Sequence, residues 1–232
     1  MFNVIVNLIG LSLTWGIWLI LLIKRPVLQV NLTITLAGIG GLVPVVWVGR
    51  RLLDRQPTPE RAMRVTSVVH YLIAIMLGSA LICAAYIGMD SELWALALPP
   101  WLGLPLMGLS GLFLALAVAS LLLKGLGLPF ALALTRVVVT DWVYAWSRNP
   151  MVLAALAFLV GLGLWLRSGL FLAWLLVVVG PVIFVFLKIY EERELEIRFG
   201  RSYLDYKSAT PMLWPRRPDS RNQPGGQAER RE

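Results

Sequence analysis

The amino-acid sequence predicts an all-α membrane protein: a polytopic bundle of about six transmembrane helices, followed by an amphipathic C-terminal helix on the cytoplasmic side. Of the 232 residues, 58% are hydrophobic and only 15% are charged, which is too apolar for a soluble domain of this size. The charges also cluster and leave long apolar runs, and a hydrocarbon core about 30 Å thick needs roughly 20 apolar residues per helix. The runs without Asp, Glu, Lys or Arg are 1–23, 27–49, 65–89, 93–123, 149–166 and 168–187.

Basic residues are unevenly divided between the two ends of these spans. Of the 21 Lys and Arg residues, only Lys24, Arg25 and Arg167 fall in connections on one side, and the other 18 fall on the opposite side. By the positive-inside rule the second side, with both termini, is cytoplasmic, so we expect an integral protein of a bacterial inner membrane. The formal net charge of +8 then reflects topology and attraction to anionic membrane lipids, and nucleic acid is not an expected partner.

Residues 1–123 are predicted to form the first region, with four membrane helices. Three glycines in helix two allow a neighbouring helix to approach closely: Gly38, Gly40 and Gly41. The charged stretch 50–64 is predicted as an exposed cytoplasmic loop, followed by helix three with the only histidine, His70. The lone Cys83 is predicted as a small core residue, because one cysteine forms neither an internal disulfide nor a metal cluster, and no metal site is expected.

Residues 124–214 are predicted to form the second region and 215–232 a disordered tail rich in Pro, Gly, Arg and Gln. The stretch 124–148 is too polar to span a membrane and too apolar for a loop, so we expect an interfacial or partly re-entrant segment. Helices five and six form a tight antiparallel hairpin, and helix six continues out of the membrane to Gly200.

Two polar clusters lie at the cytoplasmic ends of this hairpin. Arg148, Asn149 and Pro150 open helix five, and Glu191 and Glu192 follow helix six. Because the two legs are antiparallel and of similar length, we expect these clusters to lie close together. Proline suits the first turn of a helix, whose free N–H groups can bind an anionic group.

These charges have a simpler interpretation, which spacing alone does not exclude. Arg and Glu at the ends of spans are commonly interfacial anchors or surface ion pairs. Glu194 and Arg198, four residues apart, are predicted to form an ordinary i,i+4 pair.

Residues 147–214 resemble the C-terminal half of the isoprenylcysteine carboxyl methyltransferase and phospholipid methyltransferase superfamily of integral membrane enzymes. That superfamily has an Arg-His-Pro or Arg-Asn-Pro element opening a helix, a helix hairpin, a Glu-Glu pair, and a Phe-Gly-x-x-Tyr-x-x-Tyr ending before a proline. The corresponding residues are Arg148-Asn149-Pro150, Glu191-Glu192, Phe199 to Tyr206, and Pro211 or Pro215.

The resemblance implies S-adenosylmethionine as methyl donor, bound at the cytoplasmic ends of the hairpin. The cofactor-binding residues that it implies are Arg148, Asn149, Pro150, Glu191, Glu192, Tyr203 and Tyr206. His70 and Trp146 are candidates on the substrate side, and no catalytic residue is assigned.

The leading hypothesis is therefore an S-adenosylmethionine-dependent membrane methyltransferase acting on a lipophilic or lipid-linked acceptor, such as an isoprenylcysteine carboxylate. The alternative is a non-catalytic assembly or partner-binding protein that uses the same hairpin. Trp142-Val143, Val152 and Ala154 motivate it, because they depart from the superfamily pattern near helix five. A transporter is a weaker alternative, because charges in the middle of the membrane are not found in the sequence. The oligomeric state is not predicted.

Overall fold

The computed structural model describes residues 2–124 and 137–216, and the ordered elements within these ranges are helices. In chain order the helices are α1 (Phe2–Lys24), α2 (Leu28–Arg55), α3 (Pro59–Asp90), α4 (Gly103–Lys124), α5 (Pro150–Trp165), α6 (Gly169–Phe199) and α7 (Arg201–Ala209). Short 3-10 turns cover Pro100–Leu102 and Trp142–Ala145. The predicted all-α class is confirmed.

Five of the described helices are long and apolar enough to cross a membrane, namely α1, α2, α3, α4 and α6. Helix α5 is also apolar but has only 16 residues, so it is about 24 Å long at 1.5 Å per residue. The expectation of about six spans is consistent with these five helices and one shorter apolar helix.

The predicted loop 50–64 is wrong in its extent. Helix α2 continues to Arg55 and α3 begins at Pro59, so the connection is reduced to three residues. Thr58 caps α3 by accepting a hydrogen bond from the backbone N–H of Arg61, and proline at the first helical position needs no donor. Since α3 starts six residues before the predicted run, His70 lies about three turns into the helix.

Helices α2 and α3 pack closely at Gly38 and Gly41, two of the three glycines for which the sequence predicts a close approach. A Cβ atom on Gly38 would lie 2.6 Å from the carbonyl oxygen of Met76, and one on Gly41 would overlap the Met76 side chain. Gly40, by contrast, faces open space. Cys83 in α3 is fully buried, in agreement with the predicted core role.

The α5–α6 hairpin is antiparallel, as predicted. Its turn is held by the backbone N–H of Ser168, which donates to the carbonyl of Gly163 at 3.0 Å, and by the Ser168 hydroxyl, which accepts from the N–H of Phe171. Phe171 and Val179 of α6 are buried in one apolar cluster with Ala84 of α3. The hairpin is therefore packed against the first region.

Helix α6 contains two π-helical turns, Leu175–Val179 and Leu187–Glu191. Each π turn inserts one extra residue and so rotates the following residues about the helix axis. The second turn immediately precedes Glu192 and buries Tyr190, whose hydroxyl is 3.0 Å from the Thr66 hydroxyl of α3. Gly200 has a φ of +53° and separates α6 from α7, as its position in the sequence predicts.

Parts of two predicted segments fall outside the described residues: 125–136 of the interfacial segment, and 217–232 of the tail. The division into regions 1–123, 124–214 and 215–232 stays a prediction.

Candidate functional site

The start of α5 and the polar end of α6 come together, and we call this place the hairpin mouth. It consists of Arg148, Asn149 and Pro150 together with Glu191 and Glu192. The Nη1 atom of Arg148 is 2.7 Å from Oε1 of Glu192, and the two side chains are only 10% and 12% exposed. The predicted convergence of the two clusters is therefore present in the structure, as a largely buried ion pair and not as an exposed anchor.

One N–H donor of Arg148 is not used within the protein. Its Nη1 atom also donates to the Tyr203 hydroxyl at 3.2 Å, but its Nε atom is buried and has no hydrogen-bond partner. A buried N–H without an acceptor costs about 1–3 kcal/mol. Arg148 lies two residues before the first helical residue of α5, and the N–H groups in the first turn of a helix favour an anion. An anionic ligand group would satisfy both sets of donors.

Glu191 is the second unsatisfied group of the hairpin mouth. Its side chain is half-buried, and no described residue forms a hydrogen bond or ion pair with it. Its electrostatic neighbours include two further carboxylates, Glu192 and Glu194. A carboxylate in this position favours a cationic group or hydroxyl donors on a ligand.

A C-terminal strap, residues 211–216, is bound to the chain just before α5. The backbone N–H of Arg148 donates to the Pro211 carbonyl at 2.9 Å, and Asn149 Nδ2 donates to the Met212 carbonyl at 3.0 Å. The Ser147 hydroxyl also donates to Met212, at 3.2 Å. Asn149 therefore uses one amide N–H to attach the strap, and its side-chain oxygen and second N–H are left for a ligand.

The two predicted tyrosines of α7 lie on one face, with their ring centroids 6.3 Å apart. Tyr206 donates to the backbone carbonyl of Tyr144 at 2.7 Å and anchors α7 to the 3-10 turn before α5. Burial raises the pKa values of Tyr144 and Tyr206. Burial also raises the pKa of Tyr203 to about 12, although the nearby Arg148 acts in the opposite direction. All three phenols are therefore neutral at pH 7.

Lys207 lies beside the hairpin mouth and is not among the site residues that the sequence predicts. Its Nζ atom is 2.7 Å from Glu192 Oε2 and 3.0 Å from Glu196 Oε1. Burial lowers the pKa of Lys207, but its hydrogen bonds to Glu192 and Glu196 outweigh this and raise the pKa. The only signal in the sequence is its place directly after Tyr206.

The ion pairs continue from α7 to α2. Glu196 is 3.5 Å from Arg193, and Arg193 Nε is 3.0 Å from Asp54 Oδ1. Together with the Lys207 pairs they link the end of α2 to Arg148 through one chain of alternating charges.

The predicted i,i+4 pair of Glu194 and Arg198 is present, but it is buried and not exposed at the surface. The atoms Arg198 Nη1 and Glu194 Oε1 are 2.8 Å apart, and the two side chains are 5% and 3% exposed. Spacing along one helix identifies such a pair but does not show which face of the helix is covered. Here α3 packs on that face.

The two substrate-side candidates occupy different surroundings. The Nδ1 atom of His70 is 3.0 Å from the Thr66 carbonyl, and its ring packs edge-on against Phe186 at 6.1 Å. His70 thus lies in the α3–α6 contact, and no described hydrogen bond or ion pair joins it to the hairpin mouth. Trp146 is 47% exposed, and its carbonyl accepts from the N–H of Arg216. It lies two residues before Arg148, at the edge of the hairpin mouth.

Among the described residues no group of three or more His, Cys, Asp and Glu side chains could hold a metal ion. The hairpin mouth offers a ligand one guanidinium, the start of α5 and two carboxylates, and the Tyr203 hydroxyl lies beside the guanidinium.

Residues 98–202 match the sequence profile of the phospholipid methyltransferase family. This family is part of the integral membrane isoprenylcysteine/phospholipid methyltransferase superfamily, so the resemblance inferred from the motifs is confirmed. The match supports a membrane methyltransferase in general, and it includes α5 and α6 with all five residues of the hairpin mouth. Neither the curated proteins nor the solved structures contain a protein that matches this chain.

Proposed function

We propose, on the premise that residues 98–202 match the phospholipid methyltransferase family, that this chain transfers a methyl group from S-adenosylmethionine to a lipophilic or lipid-linked acceptor. The observation that carries this proposal is the buried Nε atom of Arg148, which has no hydrogen-bond partner at the start of α5. When bound, the cofactor supplies an electrophilic methyl group on a sulfonium.

The unsatisfied groups of the hairpin mouth suit an amino-acid cofactor with a ribose. Arg148 and the first N–H groups of α5 would hold its carboxylate, because a guanidinium forms strong charge-assisted hydrogen bonds to carboxylates. Glu191 would accept hydrogen bonds from its ammonium or ribose hydroxyls. The sides of the site would be formed by Asn149, Tyr203 and Tyr206, through the hydrogen bonds described above, and by the buried Pro150.

The residues of the hairpin mouth and α7 serve binding and orientation more than proton transfer. Tyr203 has a pKa of about 12 and stays protonated at neutral pH, so it acts as a donor and acceptor of hydrogen bonds. A carboxylate acceptor needs no base, whereas an amine or thiol acceptor must first lose a proton. Glu191 is the described carboxylate of the hairpin mouth without an ion-pair partner, so it is the group that would take such a proton.

Calorimetric titration of the purified full chain with S-adenosylmethionine tests the binding step. We expect saturable binding that Arg148→Ala weakens at least tenfold, and that the exposed control Arg201→Ala leaves unchanged. Absence of binding by the unmodified chain, at concentrations well above cellular ones, would overturn the proposal.

Incubation with methyl-labelled cofactor and total membrane lipids tests the transfer step. Label in the lipid fraction, lost in Glu191→Gln and Arg148→Ala, would support the enzyme and identify the acceptor class. Cofactor binding without transfer to any lipid or prenylated peptide would favour the non-catalytic alternative, whose hairpin would serve a partner protein.

A further inference from the structure

The exposed face of α2 changes abruptly from apolar to basic at one end. Leu36, Val43 and Trp47 are exposed along this face, at 71%, 67% and 54%. Arg51 and Arg55 follow at intervals of four residues and are also exposed. Intervals of seven and four residues keep successive side chains on nearly the same side of a helix, so these side chains form one stripe, which we call the α2 stripe.

The arginines of α2 divide into two kinds. Arg50 is engaged within the protein, because its Nε atom is 2.7 Å from Asp54 and its Nη1 atom donates to the Ile189 carbonyl. Asp54 is engaged in turn by Arg193 at 3.0 Å. Its carboxylate is therefore shared by two other guanidinium groups, and neither Arg51 nor Arg55 has a carboxylate partner among the described residues.

The guanidinium of Arg51 is held by an aromatic ring, which does not neutralise its charge. Its guanidinium carbon lies 3.6 Å from the ring centroid of Trp47, one turn below it on the stripe. Tryptophan is enriched at the level of the lipid headgroups, so we expect the stacked Arg51 to lie near the depth of the lipid phosphates. Arg51 and Arg55 line an open depression of about 360 Å³ together with Asp54.

We propose that the α2 stripe binds an anionic phospholipid, with its phosphate held by Arg51 and Arg55 and one acyl chain lying along Trp47, Val43 and Leu36. Guanidinium groups bind phosphate oxygens in a bidentate manner, which makes paired arginines selective for phosphate. The apolar continuation of the stripe favours a lipid over free phosphate, because free phosphate gains nothing from it. This site lies outside the hairpin mouth, and the inference does not depend on methyl transfer.

The experiment counts lipids bound to the full chain in dodecyl maltoside by native mass spectrometry, with phosphatidylglycerol, phosphatidylcholine of the same acyl chains, and inorganic phosphate as probes. We expect phosphatidylglycerol to bind at least tenfold more tightly than phosphatidylcholine. The double variant Arg51→Gln/Arg55→Gln should lower phosphatidylglycerol affinity about tenfold, and the change should be small for phosphatidylcholine. The double variant Arg201→Gln/Arg216→Gln removes the same charge from exposed residues elsewhere and should keep the affinity.

Three outcomes would overturn the inference. Equal affinity for the two lipids would remove the selectivity for charge, and an equal loss in both double variants would show general attraction only. Binding of inorganic phosphate that is as tight as that of phosphatidylglycerol, and is lost in Arg51→Gln/Arg55→Gln, would assign the site to free phosphate. If that variant does not fold, Arg51→Lys/Arg55→Lys keeps the charge and loses the bidentate geometry. Its affinity should fall about threefold, and an unchanged affinity would also contradict the inference.

Discussion

The Oε1 and Oε2 atoms of Glu192 bind different parts of the chain: Oε1 is 2.7 Å from Arg148 and Oε2 is 2.7 Å from Lys207. Glu192 in α6 thus joins the start of α5 to the C-terminal helix α7. Only 12% of its side chain is exposed, so neither ion pair is fully screened by solvent. This carboxylate therefore helps to hold α7 over the hairpin mouth, together with the hydrogen bond from Tyr206 to the Tyr144 carbonyl.

Substitution of Lys207 by Gln is expected to loosen α7 over the hairpin mouth. The change removes the cation that binds Glu192 and Glu196, and since Lys207 is 33% exposed we expect a stability loss of only about 1 kcal/mol. Hydrogen exchange should become faster in Arg201–Ala209, and the difference from the unmodified chain should shrink at high salt. Lys188→Gln, at an exposed position in α6, is the control and should leave exchange in α7 unchanged.

Stability is expected to fall in alkaline solution, partly because of Tyr203. Its pKa is raised to about 12 from an ordinary value of 10.0, so its contribution is fully present below pH 10 and is lost as pH rises towards 12. Between pH 10 and 12 the unfolded chain binds fewer protons than the folded chain. The free energy of unfolding therefore falls by about 1.4 kcal/mol per pH unit for one such group. Tyr203→Phe should make the pH dependence of unfolding in mixed micelles shallower, and an identical slope would contradict this assignment.

Removal of one member of the buried Glu194–Arg198 pair is expected to cost more than removal of both. Glu194→Leu breaks an ion pair in which only 5% of the Arg198 side chain is exposed, with an expected cost of about 3–5 kcal/mol. The double variant Glu194→Leu/Arg198→Leu should recover a large part of this loss. Unfolding in mixed micelles measures the stability of the single and the double variant. A double variant that is less stable than the single variant would contradict the prediction and show that the pair itself is strongly stabilising.

Two neighbouring glycines of α2 are expected to respond in opposite ways to alanine. Gly38→Ala places a Cβ atom 2.6 Å from the backbone oxygen of Met76, which cannot rotate away, so a loss of about 1–3 kcal/mol is expected. Gly40→Ala meets no atom within 4 Å and should be neutral or slightly stabilising, by at most about 1 kcal/mol. Equal effects in an unfolding titration would mean that the α2–α3 contact is not as close as described.

The sequence by itself determined the membrane character and most helix ends. Long uncharged runs specify spans because the hydrocarbon core excludes charge, and Gly200 specifies a break because its positive φ suits glycine. The antiparallel hairpin also follows from local information, since its turn is short. These features depend on residues that are neighbours in the chain. Each motif at the hairpin mouth is also a short contiguous stretch, so the sequence alone was enough to recognise it.

Only the tertiary structure decided which of these residues are in contact and which faces are buried. The burial of Glu194 and Arg198 depends on how α6 is rotated against α3, and two π turns in α6 shift that rotation in a way that hydrophobic periodicity does not predict. Lys207 lies beside the hairpin mouth because α7 folds back after Gly200. Contacts of this kind arise between segments far apart in the sequence. The two ion pairs of Glu192 therefore became visible only when α5, α6 and α7 were placed together.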